Sequence, residues 1–491
     1  MKDIIVYPLL FLTLVQCASQ QEAESTQNMI MVENAKKGSR DWIIEVEERH
    51  CDYPDHQYCR RPEIEGYCSR TSYKAGEKLS IFVSTNPPSP YSLDIFRMGY
   101  YGGNGGRLVK SISNLYGIPQ EVPDADSTNF FECQWDTAYQ MVIPADWLSG
   151  VYLGKLTTET NFQSYIVFII RDDRQADFMF QCSDLTCQAY NRWPEWHSMY
   201  DENQDPWVNS NGARISFDRP YALYVNGLPM DFNALSNGSG EFLLWEFSLS
   251  FWMEREGYDV TYISNIDTHE DREGLLRSRA FLSVGHDEYW TPEMYSNVEY
   301  ARHEGVSLLF LCGNAVDGTV YLEPSTDGRP NRITGRLPQR FLEDERNLMG
   351  NSSYGVGYAS FVVKNADHWV YANAGVQEGD TIHDLIGWEY HGYPVKEDSS
   401  LVILSENTLD PNKFTDPEGP NHAAVIYMTN ERSFVFNAGT CFWNLSLSTP
   451  PAFQNPVNSQ DADHYYVVDF KEEDSRVQQI TRNLLARALQ E

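Results

Sequence analysis

Three side chains that can bind a metal ion or transfer a proton follow directly after one short apolar segment. Residues 280–284 are apolar and partly β-branched, which predicts a buried strand, and Gly285 permits a sharp exit from it. His286, Asp287 and Glu288 come next. An imidazole beside carboxylates is a combination that serves in metal binding and in acid–base catalysis. The alternative is a solvated loop that carries ordinary charges.

The residues after this cluster predict a helix that would hold the loop in place. Thr291 is a suitable N-cap, Pro292 suits the first helical position and Glu293 is an acid in the first turn. We therefore expect a helix that runs to about His303. A strand, a polar loop and a helix form half of a βαβ unit. Ligands bind at the carboxyl ends of the strands in open parallel sheets, so the polar cluster lies where a site is expected.

The next predicted strand, residues 306–311, also ends in residues that can take part in chemistry. It leads into Cys312, Gly313 and Asn314. Successive strands of a parallel sheet end at the same edge, so we expect Asn314 at the same crevice, where its amide could donate to a developing oxyanion. The alternative is that Asn314 only adopts a turn conformation after Gly313.

Cys312 could instead be a nucleophile on a strand-to-helix elbow, as in thiol amidotransferases. The glycines that flank such an elbow are missing, because Phe310 and Asn314 occupy their positions. A buried structural thiol is the preferred interpretation of Cys312. An amidotransferase-like enzyme that uses this cysteine is kept as an alternative.

The strand and helix pattern predicts two folded units in an α/β plus all-β chain. Residues 41–173 contain short β-type segments between turn residues, which predict an immunoglobulin-like β-sandwich. After the charged segment 171–174, strands and helices alternate, which predicts a doubly wound, glutamine-amidotransferase-like α/β domain over residues 174–491. Strands without long helices follow from Asn351 and predict extra β-structure. Residues 477–489 predict a closing amphipathic helix.

The N-terminal residues predict an export signal and a linker. Residues 1–19 carry Lys2 and an apolar run that is too short to span a bilayer, which predicts a signal peptide. The protein is then exported, to the periplasm, the cell surface or the medium. A lipoprotein signal with a lipid on Cys17 is the alternative, although Gln16 is bulkier than the residue usually found before such a cysteine. Residues 20–40 are polar and predict a disordered linker.

The charge balance argues against two classes of partner. The chain has 70 acidic and 37 basic residues, a net charge of −33, and the acids are spread along its length. Nucleic acids and anionic membranes would be repelled by this charge. Contact with a membrane is therefore expected only through a lipid anchor, and a homo-oligomer is left open.

Cysteine usage agrees with an exported protein. Of the nine cysteines, Cys17 belongs to the export segment, and the other eight predict some disulfides whose pairing stays open. A zinc cluster of Cys51, Cys59 and Cys68 is the weaker alternative because these residues contain no CxxC pair.

Several motifs, in order along the chain from residue 92, resemble the large (beta) subunit of N,N-dimethylformamidase and its relatives. The match is loose in the predicted sandwich, over residues 94–103, and sharper further on. Several such motifs together are specific, whereas each alone would be weak. The sharper motifs are Gln188-Ala189-Tyr190-Asn191, Asp218-Arg219-Pro220-Tyr221, Gly285-His286-Asp287-Glu288-Tyr289-Trp290, Gly313-Asn314 and Gly387-Trp388-Glu389.

The resemblance implies a mononuclear ferric ion held by Tyr190, Tyr221 and Glu288. Phenolate and carboxylate are hard donors that suit Fe(III), and the ion would keep a phenol deprotonated far below its ordinary pKa near 10. Tyr200 and Tyr224 are rival ligands. Tyrosine is abundant, at 30 of 491 residues, so Tyr190 and Tyr221 could also be ordinary core or surface aromatics.

The chemistry that the resemblance implies is hydrolysis of a small amide. Glu389 would be the general base, and His286 and Asn314 would orient substrate or stabilise the oxyanion. The chain departs from its relatives at residues 193–195, where Trp-Pro-Glu replaces a tryptophan and two glycines, and it lacks the small second subunit of the formamidase. The alternative from another class is a non-catalytic surface or glycan-binding protein that retains the fold.

Overall fold

The fold is seen in a computed structural model, which describes most of the chain. The described residues are 28–45, 60–194, 197–202, 205–206, 213–222, 237–338, 341, 343–387, 389–392, 394–395, 400–409, 421–453 and 473–490. The predicted signal segment, Cys17, Cys51, Cys59 and Tyr224 lie outside these ranges.

Two β-sheets form the N-terminal part of the described chain. One sheet has the strand order β1-β3-β6 and the other has the order β2-β8-β7-β4-β5. The strands are β1 Glu65–Cys68, β2 Ser72–Tyr73, β3 Lys78–Ser84, β4 Ser89–Met98, β5 Gly106–Gly117, β6 Thr137–Val142, β7 Gly150–Thr158 and β8 Gln163–Ile170.

Alternating apolar residues join these two sheets. Leu79 and Ile81 of β3 and Leu93 and Ile95 of β4 are fully buried and belong to one apolar cluster. Successive side chains of a strand point to opposite faces, so this alternation puts one face of each sheet into a common core. The two packed sheets are the β-structure that the sequence predicts for this region.

A short helix, α1 Met29–Asn34, lies inside the predicted linker. The Asn28 side chain caps it by accepting from the backbone N–H groups of Ile30 and Met31. Glu33 is buried and accepts hydrogen bonds from Tyr101 and Arg107, at 2.8 and 2.6 Å. The prediction of a disordered linker is therefore wrong for this stretch, because the Glu33 carboxylate is buried and has hydrogen-bond partners about 70 residues away.

A seven-stranded sheet is the centre of the rest of the molecule. Its order is β13-β9-β14-β16-β25-β24-β23; the strands from β13 to β25 are parallel, and β24 and β23 are antiparallel additions. The strands are β9 Ala176–Cys182, β13 Val260–Ser264, β14 Ser278–His286, β16 Ser307–Gly313, β23 Val402–Thr408, β24 Asn421–Met428 and β25 Phe434–Asn437. The predicted parallel sheet and its β-extension are both confirmed.

Helices and small sheets surround this sheet. The helix predicted after His286 is confirmed as α5, with Thr291 as its N-cap and Pro292 in its first turn. The other strands are β10 Asp201–Glu202, β11 Asp205–Pro206, β12 Arg214–Ser216, β15 Tyr289–Trp290, β17 Gly318–Glu323, β18 Ile333–Arg336, β19 Ser352–Val356, β20 Ala359–Val362, β21 Thr381–Ile386 and β22 Glu389–Gly392. The helices are α2 Asp184–Tyr190, α3 Phe247–Glu256, α4 Asn265–Glu270, α5 Pro292–His303, α6 Glu343–Met349 and α7 Ser475–Ala488.

A buried ion pair joins the N-terminal sheets to the central sheet region. Arg97 of β4 and Glu254 of α3 are fully buried and lie 2.8 Å apart. Gly99 permits this approach, because a Cβ there would lie 2.2 Å from the Glu254 carboxylate. The molecule is thus a mixed α/β structure whose two parts share a buried polar contact.

Two further findings concern covalent links and membranes. The six cysteines that lie in the described ranges are all buried and free, so no disulfide of the predicted kind is found among them. Among the helices of the described residues, none has the length and apolar character that crossing a membrane requires.

Candidate metal and active site

The ends of two parallel strands and the start of a third strand meet at the site. His286 is the last residue of β14, and it pairs in register with Gly313, the last residue of β16. Glu389 begins β22, and its carbonyl oxygen would lie 2.1 Å from a Cβ added at Gly313. Glycine at 313 is therefore required for Glu389 to lie beside His286.

The loop after β14 is fixed by a carboxylate that does not face the reacting groups. Asp287 is fully buried and accepts hydrogen bonds from Gln181, Ser283 and Asn265, at 2.6, 2.7 and 3.0 Å. Such a set of donors holds a buried charge in one position. Asp287 thus supports the loop that carries Glu288.

Two phenols converge on Glu288. Tyr190, the last residue of α2, donates to a Glu288 carboxylate oxygen at 2.7 Å. The hydroxyl of Tyr200 lies 2.9 Å from that of Tyr190 and 3.1 Å from the other Glu288 oxygen. The rings of Tyr190 and Tyr200 are stacked, with centroids 4.7 Å apart. The two phenol oxygens and the Glu288 carboxylate are therefore all within hydrogen-bonding distance of one another.

His286 lies between three carboxylates. Its Nε2 atom is 2.6 Å from Glu389 Oε2 and 3.6 Å from Glu288 Oε2, and its Nδ1 atom is 3.6 Å from Glu241 Oε2. All four side chains are buried. Water is largely excluded from these side chains, so the charge of each carboxylate acts strongly on the imidazole.

A third phenol and a guanidinium complete the cluster. Tyr289 is hydrogen bonded to the hydroxyl of Tyr200 and accepts a hydrogen bond from Arg336. The Arg336 guanidinium also lies over the Tyr200 ring, 4.4 Å from its centroid. Arg336 therefore places a positive charge beside the phenols and Glu288.

The pKa shifts show how strongly these groups interact. Burial lowers the pKa of His286, but the charge of Glu389 and the contacts with Glu241 and Glu288 outweigh burial and raise it well above its ordinary value. Burial raises the pKa of Glu288, but His286 and then Arg336 outweigh it, so this pKa is lowered. Burial and the charge of Glu288 raise the pKa of Tyr190. A cation bound beside the Tyr190 hydroxyl would lower the pKa of this phenol instead.

The donor atoms fit a bound metal ion. One donor atom each from His286, Glu288 and Glu389 lies within 4.8 Å of the others, a spacing that a single ion could bridge. His286 Nε2 and Glu389 Oε2 are only 2.6 Å apart, but their relative orientation does not allow a hydrogen bond. Buried polar atoms in that state are costly, and a metal ion is one group that would satisfy them. The hard oxygen donors of Tyr190 and Tyr200 adjoin the same position.

The structure places the predicted site residues in two groups. Tyr190, His286, Glu288 and Glu389 are brought together. Tyr221 has different neighbours: its ring is beside Cys187, and burial followed by the nearby Cys187 raises the pKa of its phenol. In the described residues, Tyr200 occupies the place beside Glu288 that the resemblance gives to Tyr221.

The other predicted residues lie near the ends of the same strands. Asn314 follows Gly313 in the left-handed region, with φ of 51°, and is half-buried. Cys312 is fully buried with its sulfur 3.4 Å from Ser283 Oγ, and burial raises the pKa of its thiol well above the ordinary value. A buried thiol that resists ionisation is a structural group, not a nucleophile.

Sequence reasoning missed Glu241, Tyr289 and Arg336. Tyr289 directly follows Glu288 in the motif after β14, and this position is the sequence signal for it. Glu241 and Arg336 are 45 and 50 residues from His286 in the chain, and nothing in the local pattern marks them.

Comparisons with known proteins give one informative match. The sequence profile described as N,N-dimethylformamidase beta subunit-like, C-terminal, matches residues 92–459. A search of curated proteins found no match.

Solved structures give only weak likenesses. A superoxide reductase (neelaredoxin) from Ignicoccus hospitalis is 9% identical, with 22% of this chain and 80% of that chain covered and a TM-score of 0.13. A Paenibacillus sp. cycloisomaltooligosaccharide glucanotransferase, complexed with cycloisomaltoheptaose, is 8% identical, with 61% of each chain covered and a TM-score of 0.19. Scores this low support no conclusion about fold or function.

Proposed function

This chain belongs to the N,N-dimethylformamidase beta subunit-like family, and on that premise we propose that it is an iron-dependent hydrolase of amide-type C–N bonds. The observation that carries the proposal is the buried cluster in which Tyr190, Tyr200, Glu288, His286 and Glu389 meet. The cluster joins hard donors for an ion to a carboxylate and an imidazole that can move protons.

The proposed ligands are Tyr190, Tyr200 and Glu288. The resemblance alone gives Tyr221 as the second phenol, but the contacts of Tyr200 with Tyr190 and Glu288 favour Tyr200. When bound, the ferric ion would supply a Lewis acid that polarises the amide carbonyl or acidifies a water molecule. The competing ligand set is His286, Glu288 and Glu389, whose donor atoms also lie close enough to share an ion.

Glu389 is the proposed general base. Its carboxylate is 2.6 Å from His286 Nε2, so the two form a pair that can hold and pass on a proton. Glu389 takes a proton from the attacking water, and the proton is then delivered to the leaving nitrogen. The C–N bond breaks, and the products are a carboxylic acid and an amine.

Asn314 is the proposed donor to the oxyanion. It directly follows Gly313, which is in register with His286, so its backbone lies at the same edge of the sheet. An amide N–H that is already in place when charge develops stabilises the transition state without reorganisation.

The remaining features of the proposal rest on the sequence. We propose that the protein is exported, that its substrate is a small amide and that nucleic acid is not a partner. A lipid on Cys17 would be its membrane contact. The two packed N-terminal sheets are compatible with an immunoglobulin-like sandwich, and the parallel sheet is compatible with a glutamine-amidotransferase-like domain.

A hydrolysis screen tests this function. The iron-loaded protein should release amine from at least one member of a panel of formamides, acetamides and larger N-substituted amides. Glu389→Gln should lower kcat about 100-fold or more while iron stays bound, because the base is lost and the proposed ligands are intact.

The control is Glu246→Gln, which replaces another buried carboxyl group, one that accepts a hydrogen bond from the backbone N–H of Ser183 and is not among the proposed ligands. This variant should keep kcat near the wild-type value. An iron-loaded protein that hydrolyses none of the amides, or equal losses in both variants, would contradict the proposal.

A further inference from the structure

The two proposed phenol ligands lie at the ends of one short segment. Tyr190 is the last residue of α2, and Tyr200 follows ten residues later. We call residues 190–200 the tyrosine segment. The backbone N–H of Met199 donates to Ala189 O at 2.9 Å, which brings the two ends together. The position of both hydroxyl groups therefore depends on how this segment is attached to the rest of the molecule.

Arg219 is hydrogen bonded to three backbone carbonyl groups in this part of the chain. It is 1% exposed, and its Nη2 atom donates to Gln188 O at 3.1 Å, just before the tyrosine segment. Its Nη1 atom donates to Trp193 O and His197 O within the segment, at 3.1 and 2.8 Å. A guanidinium presents its N–H donors in a rigid plane, so one side chain fixes several acceptors at once.

Asn191 adds a second link between the tyrosine segment and the residues around Arg219. Its side-chain nitrogen donates to Pro220 O at 2.9 Å, and its side-chain oxygen accepts from the N–H of Ala222 at 3.0 Å. Asn191 is buried, so little water competes for these hydrogen bonds. The motif that contains Tyr190 and the motif that contains Arg219 are therefore joined directly.

The backbone before Arg219 has its own support. Asp218 is fully buried, and its two carboxylate oxygens accept from Arg329 and Arg332, each at 2.8 Å. Arg332 also donates to Phe217 O at 3.1 Å. Charge-assisted hydrogen bonds of this kind are stronger than neutral ones. The Arg219 side chain therefore extends from a backbone that is fixed independently of the tyrosine segment.

We propose that Arg219 is a positioning residue that holds Tyr190 and Tyr200 at the Glu288 carboxylate before any ion or substrate binds. A site whose ligands are already in place loses less conformational freedom on binding. A guanidinium stays charged in proteins, so this role depends on geometry and not on titration. The inference rests on the proposed function for its meaning in catalysis, whereas the contacts themselves involve neither iron nor substrate.

Hydrogen exchange followed by mass spectrometry tests this role in the full-length, metal-free protein. Arg219→Lys keeps the positive charge, but a compact ammonium group cannot reach all three carbonyl groups. The N–H of Met199 should therefore exchange about 10-fold faster than in the wild type, because the tyrosine segment opens more often. Peptides from β14 should exchange as in the wild type.

The wild-type measurement is informative by itself. The N–H of Met199 should be protected before iron is added, because Arg219 holds the tyrosine segment without a metal. A wild-type Met199 N–H that exchanges as fast as in an unstructured peptide overturns the proposal, even if Arg219→Lys does not fold.

Arg97→Lys is the matched control. Arg97 is also fully buried and also donates to backbone carbonyl groups, but these belong to Ser149 and Met98. This variant should leave hydrogen exchange in the tyrosine segment unchanged. Equal acceleration in the two variants, or none in Arg219→Lys, overturns the proposal.

Iron binding gives a second readout, which a purely structural role would not change. Titration with ferric salt, followed by the visible phenolate-to-iron absorption, should show about 10-fold weaker binding in Arg219→Lys and wild-type binding in Arg97→Lys. If the wild type binds iron, faster hydrogen exchange in Arg219→Lys with unchanged iron affinity overturns the positioning role.

The outcome is separable from that of the proposed function. If Arg219→Lys exchanges faster in the tyrosine segment and the wild type binds no iron, Arg219 still orders the segment but the iron-dependent hydrolase proposal fails. If the wild type binds iron and hydrolyses amides while Arg219→Lys matches it in exchange and iron affinity, the hydrolase proposal holds and the role of Arg219 is wrong.

Discussion

At the scale of single residues, the choice of the second phenol decides the ligand set. Tyr200 contacts Tyr190 and Glu288, whereas Tyr221 lies beside Cys187. An iron ion that shares ligands with Glu288 can therefore reach Tyr200 without a change of fold. The geometry favours Tyr200, and the family resemblance favours Tyr221.

Replacement of each phenol separates these two possibilities. Tyr200→Phe should lower the bound iron and weaken the visible phenolate-to-iron absorption, because one hard donor is removed. Tyr221→Phe is the matched control and should leave both unchanged. Iron content and the visible spectrum are the measurements. Loss of iron in Tyr221→Phe alone would show that Tyr221 is the ligand.

Residue types predicted only part of the site. His286 and Glu288 could be found because they follow a recognisable strand, and Glu389 and Tyr190 were found through motifs of a known family. Tyr200 could be named only as a rival. Glu241 and Arg336 could not be found, because their proximity to His286 and Glu288 depends on how distant segments pack.

At the scale of elements, the meeting of β16 and β22 sets the position of the proposed base. A Cβ at Gly313 would lie 2.1 Å from the Glu389 carbonyl oxygen, a backbone atom that cannot move without displacing β22. Gly313→Ala should therefore cost about 1–3 kcal/mol of unfolding free energy and lower kcat by moving Glu389.

Gly375→Ala is the control for this change. Gly375 also resists substitution, because its φ is +69°, but nothing lies within 4 Å of a Cβ there. Gly375→Ala should lower the unfolding free energy by about 1–2 kcal/mol through backbone strain alone and leave kcat unchanged. Urea unfolding and kcat measure the two effects, and an unaltered kcat in Gly313→Ala would contradict this role for Gly313.

The start of α2 should make stability depend on pH. Burial raises the pKa of Asp184 to about 7, and its carboxylate accepts from the Asn265 backbone N–H at 2.6 Å. An unfolded aspartate loses its proton near pH 4, at about 3.9. Between these values the folded protein binds more protons than the unfolded chain, so stability should fall as the pH rises from about 4 to 7.

Asp184→Asn tests this pH dependence. The variant keeps the shape and an acceptor oxygen but has no proton to lose, so its stability should fall less over the same range. Unfolding free energies from urea titrations at pH 5 and pH 7 give the comparison. Equal pH dependence in wild type and variant would show that Asp184 does not hold its proton in the folded state.

Local signals predicted some elements well and others not at all. The N-cap Thr291 and Pro292 indicated α5, and its predicted end agrees with the structure. The helix α1 was missed because it spans only six residues within a stretch that is otherwise polar, and contacts such as that of Glu33 with Arg107 stabilise it. Tertiary contacts outweigh local composition there.

At the scale of the whole molecule, one buried ion pair links the two parts of the fold. Arg97 and Glu254 are both fully buried, and Glu254 also accepts hydrogen bonds from Asn34 and Tyr262. Arg97→Met should destabilise the protein by about 3–5 kcal/mol, because it leaves a buried carboxylate without its charge partner. Urea unfolding is the measurement.

Arg255→Met is the control, since the Arg255–Glu473 pair is 2.6 Å long but partly exposed. Water already screens that pair, so its loss should cost about 0–1 kcal/mol. A similar loss of unfolding free energy in both variants would mean that burial does not strengthen the Arg97–Glu254 contact.

The presence of a parallel sheet followed from the alternation of strands and helices, but its strand order and the contacts between the two parts of the molecule did not. The pairing of Arg97 with Glu254 spans 157 residues, and no periodicity in the chain indicates it. The surplus of acids was visible in the composition, yet the sequence could not show that three of them surround one imidazole.

The central claim is that Glu288 holds an iron ion together with phenolate ligands. The most direct test is elemental analysis with the visible spectrum of the purified wild type and Glu288→Ala. The wild type should contain about one iron per chain and show a phenolate-to-iron absorption, and Glu288→Ala should lack both. A wild type without iron after loading with ferric salt, or a Glu288→Ala variant that binds iron as the wild type does, would contradict the claim.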